Sequence, residues 1–377
     1  MWNLHLVCHA CGQEFPPTHR APFCTTCQGP LDILYHTPPR SQAGEGPGIW
    51  RWRNAFPLAP DLPPVSLGEG NTPLIPLERA GEAAGCSRLW AKLEYLNPTG
   101  SFKDRGSALL LSALKALGVQ RLIEDSSGNA GASLSAYCAR AGIQAVVFVP
   151  DTAPRAKVRQ IQVYGAQVRL VPGGRQAAAL EARRAWERGE GAYASHAFSP
   201  FFLEGMKSFA LEVFAQTGGD VPEHIVFPVG NGSLLVGTWL GLLLLKQEGR
   251  LGRLPRLHAV QARRVCPIVA EWQGGEWKPR PGVRTIAGGV AVSQPARRAQ
   301  VLQALWETGG QAVAVDEVDI RAWQKVLAQG EGIFCEPTSA VAFAGVALLC
   351  AGGVIRPGER VLVPVTGFGL KDRVPRG

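Results

Sequence analysis

Lys103 is the residue of this chain whose surroundings best suit covalent chemistry. It lies in the run Asn97-Pro-Thr-Gly-Ser-Phe-Lys-Asp-Arg-Gly106, where a turn precedes a predicted helix that Ser101 or Asp104 could cap. An amine in the first helical turn faces the positive end of the helix dipole, which disfavours its ammonium form. Such an amine suits attack on an aldehyde. A surface salt bridge is an equally weighted alternative for a single lysine.

A second candidate segment is the turn Ser126-Ser127-Gly128-Asn129, which joins a predicted strand to a predicted helix. Backbone N–H groups at a helix N-terminus, with serine hydroxyls beside them, can bind a carboxylate. The Asn129 amide can donate a hydrogen bond to a phenolic oxygen. The same four residues are also an ordinary helix cap, and the sequence alone weighs both interpretations equally.

A third candidate segment is the glycine-rich turn Gly230-Asn231-Gly232-Ser233-Leu234, again between a strand and a helix. Glycines let the backbone approach a phosphate closely, and the helix dipole favours its negative charge. The P-loop pattern is absent, and no acidic residue follows at the dinucleotide spacing. The glycine pattern alone is weak evidence, and a nucleotide is not the favoured ligand.

The hydroxyl of Thr366 follows the last predicted strand, in the run Thr366-Gly-Phe-Gly-Leu-Lys-Asp372. A hydroxyl there, unlike a carboxylate, can meet an aromatic nitrogen without keeping that nitrogen protonated. The simpler interpretation of this segment is a strand end.

Four cysteines form a separate candidate metal site near the N-terminus. Cys8 and Cys11 form one C-x2-C pair, and Cys24 and Cys27 form another after twelve residues. Four thiolates on two turns can close a tetrahedral site, which predicts a zinc ribbon. Such a closed site leaves no position for a substrate, so we expect a structural metal, and the sequence does not separate zinc from iron.

The elements that position these segments alternate between β-rich and amphipathic helical runs, which predicts an α/β fold with parallel sheets. The predicted strands cover residues 120–125, 145–149, 166–171, 224–229, 257–261 and 361–365. The predicted helices that lie between them include residues 130–141, 154–164 and 234–246.

Composition limits the classes of protein that this chain can be. With 377 residues, 46% of them hydrophobic and 18% charged, it is long enough for two large globular domains. No apolar run approaches the roughly 20 residues of a membrane-spanning helix, so no membrane association is expected. The N-terminus lacks a signal-peptide pattern, which predicts a cytoplasmic protein. The net charge is +9, but the basic residues are scattered, so nucleic-acid binding is unlikely.

Taken together and in this order, the lysine, the two turns and the terminal hydroxyl resemble the fold-type-II pyridoxal-phosphate enzymes, the tryptophan synthase β family. The resemblance covers residues 65–372. Within that group the chain is most similar to the threonine synthases. The segments that carry this likeness are Gly68-Glu-Gly-Asn-Thr-Pro-Leu74, the run around Lys103, Leu203-Glu-Gly-Met-Lys207, Glu336-Pro-Thr-Ser-Ala340 and the run from Thr366.

The resemblance implies a role for each candidate residue. Lys103 would be the Schiff-base lysine and general base, and Asn129 the partner of the pyridoxal 3′-oxygen. The substrate carboxylate would bind the 126–129 turn. Residues 230–234 would hold the cofactor phosphate, and Thr366 would meet the pyridine nitrogen. The cofactors implied are pyridoxal 5′-phosphate and a structural zinc ion.

The resemblance also implies an architecture of two interleaved parallel-sheet α/β domains with a small N-terminal zinc ribbon. We expect the ribbon over residues 1–36, a linker over 37–64, and a small mobile domain over 100–199. The large cofactor-binding domain would take residues 65–99 and 200–377. Members of this family are usually homodimers.

Departures from the threonine synthase pattern keep other activities open. Residues 126–131 read Ser-Ser-Gly-Asn-Ala-Gly, which is nearer the serine/threonine dehydratases, and Phe202 replaces an arginine suited to gripping a substrate phosphate. Phe368 stands where histidine is common. The resemblance therefore predicts a pyridoxal-phosphate-dependent lyase that acts on an amino acid, of the threonine synthase type, which would convert O-phosphohomoserine to threonine and phosphate. A serine/threonine ammonia-lyase or another β-elimination or β-replacement enzyme is the alternative. A catalytically silent zinc-ribbon scaffold that binds RNA or protein is the hypothesis from a different class.

Overall fold

The computed structural model describes residues 4–280 and 282–372 of the chain. The chain forms two compact units. The first comprises Met1–Asn71 and Asn97–Ser208, and the second comprises Thr72–Leu96 and Phe209–Gly377. No helix among the described residues is both long enough and apolar enough to cross a bilayer.

The secondary structure of the described residues alternates strands and helices from residue 74 onward. The strands are β1 Leu4–Cys8, β2 Glu14–Phe15, β3 Leu31–Tyr35, β4 Leu74–Pro76, β5 Leu89–Lys92, β6 Arg121–Glu124, β7 Gln144–Pro150, β8 Gln167–Val171, β9 Ala192–Tyr193, β10 His224–Pro228, β11 Arg256–Ala262, β12 Ala312–Val315 and β13 Val361–Pro364. The helices are α1 Glu78–Ala84, α2 Lys103–Ala116, α3 Asn129–Ala141, α4 Arg155–Val163, α5 Arg175–Glu187, α6 Pro200–Gln216, α7 Ser233–Gln247, α8 Pro267–Trp272, α9 Arg298–Thr308, α10 Glu317–Glu331 and α11 Pro337–Ala351.

The first unit contains a parallel four-stranded sheet in the order β8-β7-β6-β9. Its central strands β7 and β6 are almost entirely buried, and β7 is rich in β-branched and aromatic residues, whereas the edge strand β8 has no buried residue. Helices α2 and α3 pack against each other beside this sheet. The carboxyl end of β6 leads directly into the turn that precedes α3.

The N-terminal residues form a small antiparallel sheet, β2-β1-β3, within the first unit. Its own core is small: Leu4, Leu6, Cys8, Cys24 and Leu31. Phe23 instead joins the core of the four-stranded sheet, where its ring meets the edge of Trp186 at a centroid distance of 5.5 Å. The ribbon thus relies on packing against the parallel sheet as well as on its own core.

The second unit contains a six-stranded sheet in the order β12-β11-β10-β13-β5-β4. All neighbouring strands are parallel except β4, which pairs antiparallel with β5. The sheet is therefore mixed at this edge. Helix α11 is buried along most of its length, because its residues are apolar or small almost throughout.

The predicted α/β class is confirmed, and each strand and helix named from the sequence is found with closely similar bounds.

The prediction that Ser101 or Asp104 caps helix α2 is wrong. Phe102 occupies the N-cap position without a side-chain cap, and the Asp104 carboxylate binds the preceding loop instead. The segment 37–64, expected as a linker, contains a 3-10 helix at Gly48–Ala55 with Trp50 and Trp52 buried. The domain boundaries stay a prediction.

Candidate active site and metal site

Lys103 is the first residue of α2 and is half-buried. Its Nζ atom lies 4.4 Å from the centre of the Phe102 ring and 5.7 Å from the centre of the Phe202 ring. Phe202 is fully buried at the start of α6. The amine predicted to do the chemistry therefore lies close to two aromatic side chains.

Asp104 holds the Lys103 turn in place, a role that the sequence interpretation missed. Its carboxylate is fully buried and accepts hydrogen bonds from the Thr99 N–H at 2.7 Å and the Thr99 hydroxyl at 2.6 Å. It also accepts a bond from the Ser133 hydroxyl of α3 at 2.6 Å. One carboxylate thus ties the loop before Lys103 to the helix that begins at Asn129. The Thr-x4-Asp spacing was visible in the sequence, but nothing local indicated Ser133 as the third partner.

The 126–129 turn lies at the carboxyl end of β6, as predicted. Asn129 is the first residue of α3, and the Gly128 N–H donates to the Ser126 hydroxyl at 3.3 Å. A Cβ atom on Gly131 would overlap the Ser126 carbonyl oxygen, so a larger residue does not fit there. Gly131, one of the departures from the threonine synthase pattern, therefore has a packing reason in this chain.

A buried carboxyl–imidazole pair lies next to this turn and was also missed. His196 Nδ1 lies 2.8 Å from Glu124 Oε1, and both side chains are almost completely buried. Burial raises the pKa of Glu124 to about 8 and holds the pKa of His196 well below its usual range. The positive charge of Lys103 also lowers both pKa values, so all three groups share one electrostatic environment. The pair therefore favours its neutral form.

The glycine-rich turn 230–234 joins β10 to α7 in the second unit. Gly232 has φ +84° and is the N-cap of α7, a conformation that side-chain-bearing residues rarely adopt. A Cβ atom on Gly230 would lie 2.6 Å from the Gly289 carbonyl oxygen. Helix α7 is 15 residues long and begins without a side-chain cap. Its first-turn N–H groups, on a backbone without side chains at 230 and 232, fit a phosphate.

Thr366 follows β13, which pairs in parallel with β10 in the same sheet. Its side chain is buried, and its Oγ1 atom lies 3.0 Å from the Ser339 hydroxyl oxygen. The next aromatic residue, Phe368, stacks on Tyr95 with ring centres 5.5 Å apart. The Thr366 hydroxyl, which is predicted to contact an aromatic nitrogen, is thus hydrogen-bonded to the Ser339 hydroxyl.

The four predicted metal ligands come together in the ribbon. The sulfur atoms of Cys8, Cys11, Cys24 and Cys27 lie within 4.8 Å of one another. Two of the sulfur–sulfur distances are 3.4 Å and 3.7 Å, far longer than a disulfide bond. A tetrahedral site with metal–sulfur bonds of about 2.3 Å has sulfur atoms about 3.8 Å apart. The thiolate cluster therefore fits a zinc ion.

Comparison with known proteins agrees with this chemistry. The family profile described as "Pyridoxal-phosphate dependent enzyme" matches residues 65–367. The chain is 34% identical to threonine synthase of Methanosarcina acetivorans over 376 residues, covering 98% of this chain and 92% of that protein. It is also 34% identical to threonine synthase of Synechocystis over 370 residues, covering 97% and 92%.

Solved structures with a similar fold include the serine racemase of maize, with a TM-score of 0.68 and 20% identity, covering 79% of this chain and 88% of that one. A threonine deaminase from Solanum lycopersicum has a TM-score of 0.67 and 23% identity, covering 78% of each chain. At these identities the two structures support the fold. The profile match and the threonine synthase relatives show that the chain belongs to the family of pyridoxal-phosphate-dependent enzymes.

Proposed function

We propose that this enzyme is a pyridoxal-phosphate-dependent lyase of the threonine synthase type. The observation that carries the proposal is that a chain 34% identical to a threonine synthase over 98% of its length carries the lysine, the glycine-rich turn and the terminal hydroxyl. The reaction would convert O-phosphohomoserine and water into threonine and inorganic phosphate. The Cγ–O bond breaks and phosphate leaves, one Cβ proton is removed, the hydroxyl of water adds at Cβ, and a proton adds at Cγ.

The residues proposed to hold the cofactor are those named from the sequence. Lys103 would bind its aldehyde, the first-turn N–H groups of α7 its phosphate, and the Thr366 hydroxyl its pyridine nitrogen. The Asn129 amide would bind the 3′-oxygen. When bound, pyridoxal phosphate supplies an electron sink for charge that develops at Cα.

The chain's own groups would bind the substrate and move its proton. The substrate carboxylate would lie on the 126–129 turn, at the N-terminus of α3, where the dipole and serine hydroxyls favour negative charge. Lys103 would remove the Cα proton as general base. The Phe102 and Phe202 rings lie 4.4 Å and 5.7 Å from its amine and would limit the access of water from that side.

Phe202 gives a reason to keep a second candidate function. An arginine at this position could form two parallel hydrogen bonds to a substrate phosphate, and a buried phenyl ring cannot. This favours a serine/threonine ammonia-lyase over a threonine synthase at this one position. The membership of an enzyme family in turn favours either activity over a catalytically silent scaffold.

The deciding experiment supplies the purified holoenzyme with O-phosphohomoserine and measures phosphate and threonine together. L-Serine and L-threonine are added in parallel and assayed for 2-oxoacid. Phosphate and threonine released in equal amounts would support the threonine synthase. A 2-oxoacid product without phosphate release would support the ammonia-lyase and contradict the first proposal.

Three further properties belong to the proposal. The ribbon would hold one structural zinc ion, since its four sulfur atoms fit a tetrahedron. The protein would work in the cytoplasm. None of its nine cysteines forms a disulfide bond, and thiols persist in a reducing compartment. It would be a homodimer, as is usual in this family, and native mass spectrometry tests this directly.

A further inference from the structure

The segment Glu336-Pro-Thr-Ser-Ala340, which begins α11, carries two adjacent hydroxyl residues with no role so far. Ser339 is fully buried, and Thr338 is 9% exposed. Neither hydroxyl lies on a surface where water would be its natural partner. The partners of their hydrogen bonds within the protein therefore indicate the role of each hydroxyl.

Ser339 meets the strand end that carries Thr366. The Thr366 N–H donates to Ser339 Oγ at 3.0 Å, and the Gly367 N–H donates to the same oxygen at 3.2 Å. The distance between Ser339 Oγ and Thr366 Oγ1 is 3.0 Å. One serine oxygen thus contacts two backbone donors and one hydroxyl.

A count of donors and acceptors gives the direction of the hydroxyl–hydroxyl bond. A serine oxygen has two lone pairs and one proton, and the two N–H groups occupy both lone pairs. Ser339 must then donate its proton to Thr366 Oγ1. The Thr366 hydroxyl accepts that bond and keeps its own proton for another acceptor.

Cys335 is a second group near Ser339 that could accept this proton. Burial raises the pKa of its thiol to about 12, so the sulfur is a neutral thiol. A neutral thiol is a weaker acceptor than a hydroxyl oxygen. The Ser339 proton therefore goes to Thr366.

Thr338 acts at the other end of the same unit's site. Its hydroxyl accepts a hydrogen bond from the Gly289 N–H at 3.0 Å. The Gly289 carbonyl oxygen is the atom that comes so close to Gly230 that a Cβ there would lie 2.6 Å away. Thr338 thus holds the backbone against which the glycine-rich turn packs.

We propose that Thr338 and Ser339 are positioning residues for the two ends of the cofactor. Ser339 makes the Thr366 hydroxyl a hydrogen-bond donor, which an unprotonated pyridine nitrogen accepts. Thr338 fixes the 230–234 turn, which binds the phosphate. The inference rests on the proposed function, because it needs a pyridoxal phosphate at these residues.

The test separates the two ends of the cofactor. Holoenzyme is prepared with nitrogen-labelled pyridoxal phosphate, and nitrogen and phosphorus NMR spectra are recorded for wild type and variants. In Ser339→Ala we expect the pyridine nitrogen signal to move downfield, towards a nitrogen without a fixed donor, while the phosphorus signal stays. In Thr338→Val we expect the phosphorus signal to shift and the cofactor dissociation constant to rise about tenfold, as for one lost hydrogen bond. Thr338→Ser retains the hydroxyl and should restore both.

A matched control removes the same kind of bond elsewhere. The Thr308 hydroxyl accepts from the Leu257 N–H at 3.2 Å and has no part in the cofactor site. Thr308→Val should leave both signals unchanged. Equal nitrogen signals in wild type and Ser339→Ala, or the same shift in Thr308→Val, would overturn the assignment. Wild-type protein that takes up no cofactor would overturn the proposed function as well.

Discussion

Replacing Asp104 should destabilise the loop that carries Lys103, and the size of the effect should depend on the substituent. The carboxylate accepts three hydrogen bonds of 2.6–2.7 Å and is fully buried. In Asp104→Ala the Thr99 N–H and two hydroxyls lose their acceptor. An unsatisfied buried donor costs about 1–3 kcal/mol, and hydroxyls can turn to other partners. Ser133 retains the Ser107 hydroxyl at 2.7 Å. We therefore expect a loss of about 3–4 kcal/mol in the free energy of unfolding.

Asp104→Asn should cost less, because the amide can serve all three partners in one orientation. Its oxygen can face the Thr99 N–H, and its NH2 group can face the two hydroxyls, which rotate to accept. The variant loses only the additional strength that hydrogen bonds have when their acceptor is charged. We expect this to lower the free energy of unfolding by about 2 kcal/mol in total.

Urea unfolding followed by tryptophan fluorescence measures both variants against wild type. Asp151→Asn, an exposed position in the same unit, is the control, with an expected change below about 0.5 kcal/mol. Two results would refute this account of the loop. One is an equal loss of unfolding free energy in Asp104→Ala and Asp104→Asn, and the other is a loss below about 1 kcal/mol in Asp104→Ala.

Three other predictions concern the lysine, the buried pair and the metal. Lys103→Ala should abolish the visible absorbance of the bound cofactor, and colour that survives the substitution would show that another group binds the aldehyde. Because burial raises the pKa of Glu124 to about 8, the folded state retains a proton that the unfolded state releases near pH 4.5. Below about pH 6.5 the lowered pKa of His196 gives a slope of opposite sign that offsets this one. Stability should therefore fall as pH rises from about 6.5 towards 8, by up to about 1.4 kcal/mol per pH unit. Glu124→Gln should flatten this slope in urea unfolding at several pH values, and an unchanged slope would contradict the assignment. Cys24→Ser should lower the metal content, measured by mass spectrometry, and lower the melting temperature, since the ribbon's own core is small; full metal retention would show that Cys24 is not a ligand.

Local signals in the sequence were sufficient for the positions of the catalytic candidates. The strand–turn–helix pattern around Ser126 and Gly230 is encoded in consecutive residues, so the turn and the helix start could be predicted together. The four ribbon cysteines were predicted equally well, because the C-x2-C spacing already places each sulfur pair on one turn. The same reasoning applies to Lys103, whose place at the start of α2 follows from the turn before it.

The groups that hold these residues were missed because their partners are distant in sequence. Asp104 and Ser133 are separated by 29 residues, and Glu124 and His196 by 72. The residues adjacent in sequence to a serine, an aspartate or a histidine do not indicate a hydrogen-bond partner that lies far away in the chain. Asp104 shows the error that results. The local sequence suggested that its side chain caps α2, but in the structure its carboxylate binds Thr99 and Ser133 of α3 instead.

The departures from the threonine synthase pattern fall into two physical kinds. Gly131 is required by the close approach of the Ser126 carbonyl oxygen, so it reflects how this chain packs α3 against its own turn. Phe202 would change what the proposed site can bind, because its ring lies 5.7 Å from the Lys103 amine and its centroid lies 5.8 Å from that of the His196 ring. Under the proposed function, Phe202 therefore separates the two candidate substrates better than the residues proposed to bind the cofactor, which both candidate reactions would use in the same way.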